Sequence, residues 1–193
     1  MSSQLALPLL CVTNRALCEG GLPAQLRRVV ATHPAGVLLR EKDLAPEGYA
    51  ALAREVAPIC RAGGVPLIVH THADVARELG CGHLHVPLSL LEEMPAAQRA
   101  ALATEFELST SCHSVEDARR AAEFGCARIL AGHVYETTCK PGLEPRGLTF
   151  LREVCAAVPL PVWAIGGVAP DKLEELRVAG AAGACMMSAF MRL

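Results

Sequence analysis

Short apolar runs alternate with amphipathic stretches along this chain. Leu7–Thr13, Gly36–Arg40, Pro66–His70, His83–Val86, Glu107–Ser111, Ala127–His133, Pro161–Ile165 and Gly183–Met187 are continuous or period-2 apolar runs of strand length. Between them, apolar spacing at i, i+3 and i+4 predicts helices over Gly21–Thr32, Pro46–Ala62, Ala73–Leu79, Pro95–Thr104, Ser114–Phe124, Gly147–Val158 and Pro170–Ala179. The punctuation agrees. Pro46, Pro95 and Pro170 stand at helix starts, where a missing N–H costs little. Gly63-Gly64, Gly125 and Gly180 follow helices as C-cap residues do, and Ser114 with Asp117 reads as an N-cap. Eight strand–helix units with no break in composition predict an α/β fold, a (β/α)₈ TIM barrel formed as one domain over 1–193. A doubly wound open sheet is the competitor, but Thr13-Asn14-Arg15-Ala16 after the first strand is not the Gly-rich loop that fold uses. Only Ser188–Leu193 follow the eighth strand, too few for a full closing helix. The sequence therefore predicts that a second copy or further chain covers that side, which leaves a homo-oligomer open.

Composition narrows the classes. The chain has 193 residues, 52% of them hydrophobic, and a net charge of -2. That suits a sizeable core and gives no reason to expect nucleic acid or an anionic membrane as partner. Met1–Gln4 lacks a basic region, and no apolar stretch reaches the ~20 residues of a membrane span. Nine cysteines without a CxxC pair point to reduced thiols and a cytoplasmic setting.

In a barrel the catalytic groups gather at the carboxyl ends of the strands. Those ends here supply Asn14; Arg40, Glu41 and Lys42; His70, Thr71 and His72; His85; Ser111, Cys112 and His113; His133, Glu136 and Lys140; Gly166 and Gly167; and Met187 and Ser188. Gly166-Gly167 after strand seven, with Met187-Ser188 after strand eight, forms a phosphate-site pattern; a tight turn is the bland alternative. Arg40 and Lys42 share a face if their strand continues, which suits a second anion such as a carboxylate. Asp43 pairing with one of them is the competing reading. His133 is the candidate acid/base, because an imidazole can take and return a proton near neutrality. Glu136 or Lys140 would orient it or share the anion. His70-x-His72 and His83-x-His85 have metal-ligand spacing, but no inward carboxylate completes a set, so no metal and no cofactor is expected. Cys112 and Cys139 read as nucleophiles beside His113 or Lys140, or as small apolar fillers.

The segment Gly132-His133-Val134-Tyr135-Glu136-Thr137-Thr138-Cys139-Lys140 closely resembles the active-site segment of the thiazole tautomerases (the TenI family), relatives of thiamine phosphate synthase. The resemblance runs from Leu9 to Met187. It includes Leu39-Arg40-Glu41-Lys42, Ser111-Cys112-His113-Ser114, Gly142-Leu143-Glu144 with Arg146-Gly147, Ala164-Ile165-Gly166-Gly167 and Met187-Ser188. It implies the same barrel, a catalytic role for His133 and a thiazole phosphate as small-molecule substrate. Ser111 joins Arg40, Lys42, Glu136, Lys140, Gly166, Gly167, Met187 and Ser188 as substrate-binding candidates. Synthases of this superfamily carry Asn-Asp-Arg after the third strand and Glu-Asp after the fourth, which hold the magnesium of the diphosphate. This chain has His70-Thr71-His72 and Leu88-Ser89-Leu90 there. The implied activity is aromatisation of a thiazole carboxylate phosphate. A divergent thiamine phosphate synthase and a non-catalytic binder of thiazole or thiamine phosphates are the alternatives.

Overall fold

The computed structural model describes residues 7–137 and 142–193. Eight parallel strands close into a barrel: β1 (Leu9–Val12), β2 (Gly36–Leu39), β3 (Leu67–His70), β4 (His83–His85), β5 (Glu107–Cys112), β6 (Arg128–Gly132), β7 (Val162–Ile165) and β8 (Gly183–Met186). Each pairs with its neighbours in sequence, and β1 pairs with β8 through Leu10 opposite Cys185. Nine described helices surround them: α1 (Leu22–Val30), α2 (Pro46–Ala62), α3 (Ala73–Leu79), α4 (Leu88–Glu93), α5 (Ala96–Glu105), α6 (Val115–Glu123), α7 (Gly147–Ala157), α8 (Leu173–Val178) and α9 (Ser188–Met191). The α/β TIM-barrel expectation holds.

Period-2 alternation sorts the side chains into two cores. Cys11, Val37, Leu39, Val69, Leu84, Leu108, Ile129, Ala131 and Ala164 face outward and pack with the helices. Leu10, Val12, Leu38, Ile68, Leu130, Trp163 and Cys185 fill the barrel interior. The same alternation turns His70, His85, Ser109 and Ser111 inward, toward the carboxyl ends of β3, β4 and β5. Ser114 caps α6 by accepting the Asp117 N–H at 3.0 Å, as its spacing predicts.

Two segments depart from the expected pattern. Leu88–Glu93, to which the apolar pattern assigns no element, forms α4 and buries Leu91. Pro170–Lys172 is a 3₁₀ turn that precedes α8 rather than its first turn. On the closing side the described residues form the short α9. Phe190 and Met191 are buried there, and Gln25 on α1 donates its side-chain N–H to the Phe190 carbonyl at 2.5 Å. Large exposed hydrophobics among the described residues lie at separate places: Leu90 on α4, Leu143 before α7, Val178 on α8 and Leu193. No described helix is long and apolar enough to cross a membrane.

Candidate active site

A cavity of about 600 Å³ opens at the carboxyl ends of the strands. It is lined by eight of the ten expected site residues: Arg40, Lys42, Ser111, His133, Gly166, Gly167, Met187 and Ser188. Glu136 is exposed and is not part of the lining. Lys140 lies outside the described residues, as does Cys139.

His133 follows β6 and is 5% exposed. Its backbone is fixed on both sides. The Arg146 N–H donates to the His133 carbonyl at 3.0 Å, and the Gly147 N–H donates to that of Val134 at 3.0 Å. The ring Nε2 lies 3.2 Å from the Leu143 carbonyl. A carbonyl only accepts, so Nε2 carries the hydrogen. In the neutral ring Nδ1 is then the bare nitrogen, and it is buried without a hydrogen-bond partner among the described residues. An orphaned buried acceptor is costly.

The loop after β7 packs directly on this segment. The Val134 N–H donates to the Ile165 carbonyl at 2.9 Å, and the Tyr135 N–H donates to Gly166 at 3.0 Å. Gly166 has φ +96°, and a Cβ there would stand 2.3 Å from His133 Cβ. Gly167 has φ +67°, and its Cβ would meet the Glu136 carbonyl at 2.3 Å. The glycine pair is thus required by the approach of the His133 loop, a reason the sequence reading did not contain.

Arg40 and Lys42 stand across the cavity. Between them, Glu41 turns away and is buried. It accepts from Thr13 Oγ1 at 2.7 Å and from the Arg15 N–H at 3.1 Å. Thr13 Oγ1 in turn accepts the Arg40 N–H at 2.9 Å. Asp43 pairs with Arg15, a partner the strand pattern left unassigned, through two contacts of 2.6 Å.

His70 and His85 pack ring to ring at 5.7 Å beside these cations. Burial, reinforced by Lys42 and Arg40, pushes His70 down to about 4. Burial, reinforced by His70 and both cations, pushes His85 down to about 3. Both rings are neutral near pH 7. The two His-x-His pairs do not form one cluster. His83 lies at the amino end of the barrel near Glu107 and Arg128, and His72 packs on Tyr49 at 4.4 Å. Cys112 is buried, and burial pushes its thiol up to about 12, which fits packing rather than nucleophilic attack.

Sequence reasoning did not single out Ser89, Glu92, Asp117, Arg120 or Thr137 as site residues, yet all five line the cavity. Asp117 and Arg120 are three apart on α6, a spacing that places them on one face. Asp117 accepts the His113 N–H at 2.7 Å, and Glu92 is ion-paired with Arg120. His113 donates from Nδ1 to the Gly132 carbonyl at 2.6 Å. Magnesium favours carboxylate and phosphate oxygen. The two lining carboxylates are already engaged, Glu92 by Arg120 and Asp117 by the His113 N–H. This donor set does not fit magnesium.

The profile of the thiamine monophosphate synthase (TMP-TENI) family matches residues 9–190. This chain belongs to that family. It is 36% identical to the thiamine-phosphate synthase of Roseiflexus castenholzii over 155 residues, covering 79% of this chain and 67% of that protein. It is 31% identical to the thiamine-phosphate synthase of Syntrophomonas wolfei over 182 residues, covering 93% and 86%. A bifunctional thiamine biosynthesis protein of Symbiobacterium thermophilum is 34% identical over 80% of this chain, a match that spans 32% of that longer protein. The solved thiamine phosphate pyrophosphorylase of Pyrococcus furiosus superposes with a TM-score of 0.82 at 24% identity, over 97% of this chain and 88% of that one, and shares its fold. The relatives' names belong to the synthase side of the family, the alternative in the sequence reading rather than its main line.

Proposed function

We propose that this chain is a thiazole tautomerase that aromatises a thiazole carboxylate phosphate. The observation that carries this reading is the bare, unpartnered Nδ1 of His133, left in that state by the Nε2–H bond to Leu143. Nδ1 takes the proton from the ring carbon bearing the carboxylate. The electron pair released conjugates through the ring toward the exocyclic alkene carbon, and the imidazolium returns the proton there. One proton leaves and one arrives, so the ring becomes aromatic with no net change in atoms or charge. Positioning and a single acid/base suffice for such a step.

Arg40 and Lys42 hold the carboxylate. Gly166, Gly167 and Ser188 receive the phosphate on the opposite side, through backbone N–H groups and the Ser188 hydroxyl. Met187 packs beside it, and its sulfur accepts the Asn14 side-chain N–H at 3.7 Å. Ser111 lines the cavity from β5. Glu136 and Lys140 remain proposed contributors from the segment between β6 and α7.

The names of the relatives favour a second reading, a thiamine phosphate synthase that joins a pyrimidine diphosphate to a thiazole phosphate. Against it stand Thr71 and Leu90 at the acid positions and the engaged state of Glu92 and Asp117. Both readings are tested on the same protein. Proton exchange into the thiazole is followed by NMR in deuterated buffer, and condensation is followed with magnesium and both synthase substrates. Exchange without condensation is the expected result. Robust condensation with no exchange promotes the synthase, and binding with neither reaction promotes a non-catalytic binder.

A further inference from the structure

The interior face of β4 and β5 holds a group that the proposed reaction leaves unused. His85 is 3% exposed and lies between two hydroxyls. Its Nδ1 is 3.0 Å from Ser109 Oγ, and its Nε2 is 3.2 Å from Ser111 Oγ. Ser109 also donates to the Leu84 carbonyl at 3.3 Å. A hydroxyl has one hydrogen; with that of Ser109 placed on the Leu84 carbonyl, which only accepts, the other directions follow. The contact between Ser109 and Nδ1 then needs the hydrogen of the imidazole. A neutral imidazole has one N–H, so Nε2 is bare and Ser111 must donate to it. Burial and the nearby Arg40 and Lys42 keep the ring neutral. Ser111 lines the cavity, and with its hydrogen turned inward it presents only lone pairs there.

We propose that His85 is a positioning residue that fixes Ser111 as a hydrogen-bond acceptor, so that the β5 wall takes a ligand N–H or O–H and turns away carboxylate or phosphate oxygen. Two lone pairs facing each other repel, and a discriminating site works by such exclusion as much as by attraction. An anion is thereby sent to Arg40 and Lys42 or to the β7–β8 side, and the ligand has one orientation rather than two. Ser109 lies behind the wall and is the residue that sets the tautomer. The inference rests on hydrogen-bond geometry around a neutral ring and does not require proton transfer at His133.

The test begins with the full chain, ¹⁵N-labelled at histidine and free of ligand. The expected spectrum shows His85 protonated at Nδ1 and bare at Nε2 near pH 7. A hydrogen on Nε2, or an imidazolium, overturns the proposal. Two probes then read the wall: a thiazole phosphate with an amino group on the ring, and its counterpart with a carboxylate. Ser111→Ala is expected to weaken the amino probe about tenfold, the loss of one good hydrogen bond, and to leave the carboxylate probe unchanged or tighter. Equal losses for both, or a loss confined to the carboxylate, overturn the proposal. The wild-type spectrum decides even where neither probe binds. Wild-type proton exchange at His133 is scored separately, so failure of one reading does not pass for failure of the other.

Discussion

The wall that carries His133 is fixed by backbone, whereas the wall that carries Arg40, His70, His85 and Ser111 is fixed by side chains. On the first, the loops after β6 and β7 exchange main-chain hydrogen bonds, and Gly166 and Gly167 have no Cβ to keep them apart. On the second, a buried carboxylate, four hydroxyls, an arginine and two neutral imidazoles hold one another. The difference suits the two tasks. A base must be held within a fraction of an ångström of the atom it deprotonates, which rigid backbone provides. A wall that reads charge and hydrogen-bond polarity needs groups whose protonation can be set by neighbours. Substitutions on the first wall are therefore expected to act on turnover, and those on the second on affinity and pH response.

The largest effect belongs to His133→Ala. It removes the proton acceptor and leaves the anion contacts in place. Exchange is expected to fall by about 10²–10⁴ while a thiazole phosphate still binds. Exchange at the wild-type rate would remove His133 from the chemistry and the backbone-held wall from its task.

Gly166→Ala sharpens the contrast without touching a polar atom. The new methyl would stand 2.3 Å from His133 Cβ at φ +96°, so the loop has to move. Gly64 is the control: its φ is +65° and nothing lies within 4 Å of a Cβ there. Both substitutions carry the cost of a left-handed residue, about 1 kcal/mol. Only Gly166→Ala is expected also to lower exchange, by tenfold or more, as a 1 Å displacement of a catalytic group does. Equal activity in the two variants would show that the glycine pair serves only to turn the chain.

Glu41→Gln probes the second wall. The carboxylate side chain is 3% exposed and ties the backbone beside Arg40 to Thr13 and Arg15. Replacing it leaves Arg15 facing an amide N–H₂. KM for the anionic substrate is expected to rise about tenfold with kcat little changed, since uniform binding is lost and the base is not moved. A fall in kcat with unchanged KM would place Glu41 on the wrong side of the comparison.

The backbone of this architecture was legible because strand and helix periods differ. Pro46–Ala62 is predicted and observed with the same ends, and all eight strands fall where the apolar runs put them. The His133 segment was legible for a chemical reason: polar and titratable residues crowd a strand's carboxyl end. Contacts between distant elements were not. Nothing in the run Asp43 to Arg15, or Gly166 to His133, announces that these residues touch, because closure of the barrel and loop packing decide it. The six residues of α4 are too few for a helical period to emerge, and α9 is shorter still. His83 and His85 share an inward face, as their spacing suggests, yet two residues of strand rise, about 7 Å, separate a ring near Arg128 and Glu107 from one in the active cavity.

The last predicted effect is on stability against pH rather than on activity, and it arises on the side-chain wall alone. His70 and His85 have folded-state values pushed down to about 4 and about 3, from an ordinary value of 6.5. Below that ordinary value the unfolded chain takes up protons that the folded chain refuses. Stability from this source is therefore fully present above about pH 6.5 and declines as pH falls toward the folded values. Each ring contributes a slope of up to about 1.4 kcal/mol per pH unit within that window. Melting temperature is expected to drop between pH 7 and pH 5, and His85→Asn is expected to flatten the drop relative to the wild type. Arg40 and Lys42 help to hold both rings neutral, so an anion bound between the two cations should ease uptake of a proton and make the decline shallower. A wild-type melting temperature that is level from pH 7 to pH 5, or a His85→Asn curve as steep as the wild type, would show that these imidazoles are hydrated and charged rather than neutral parts of the wall.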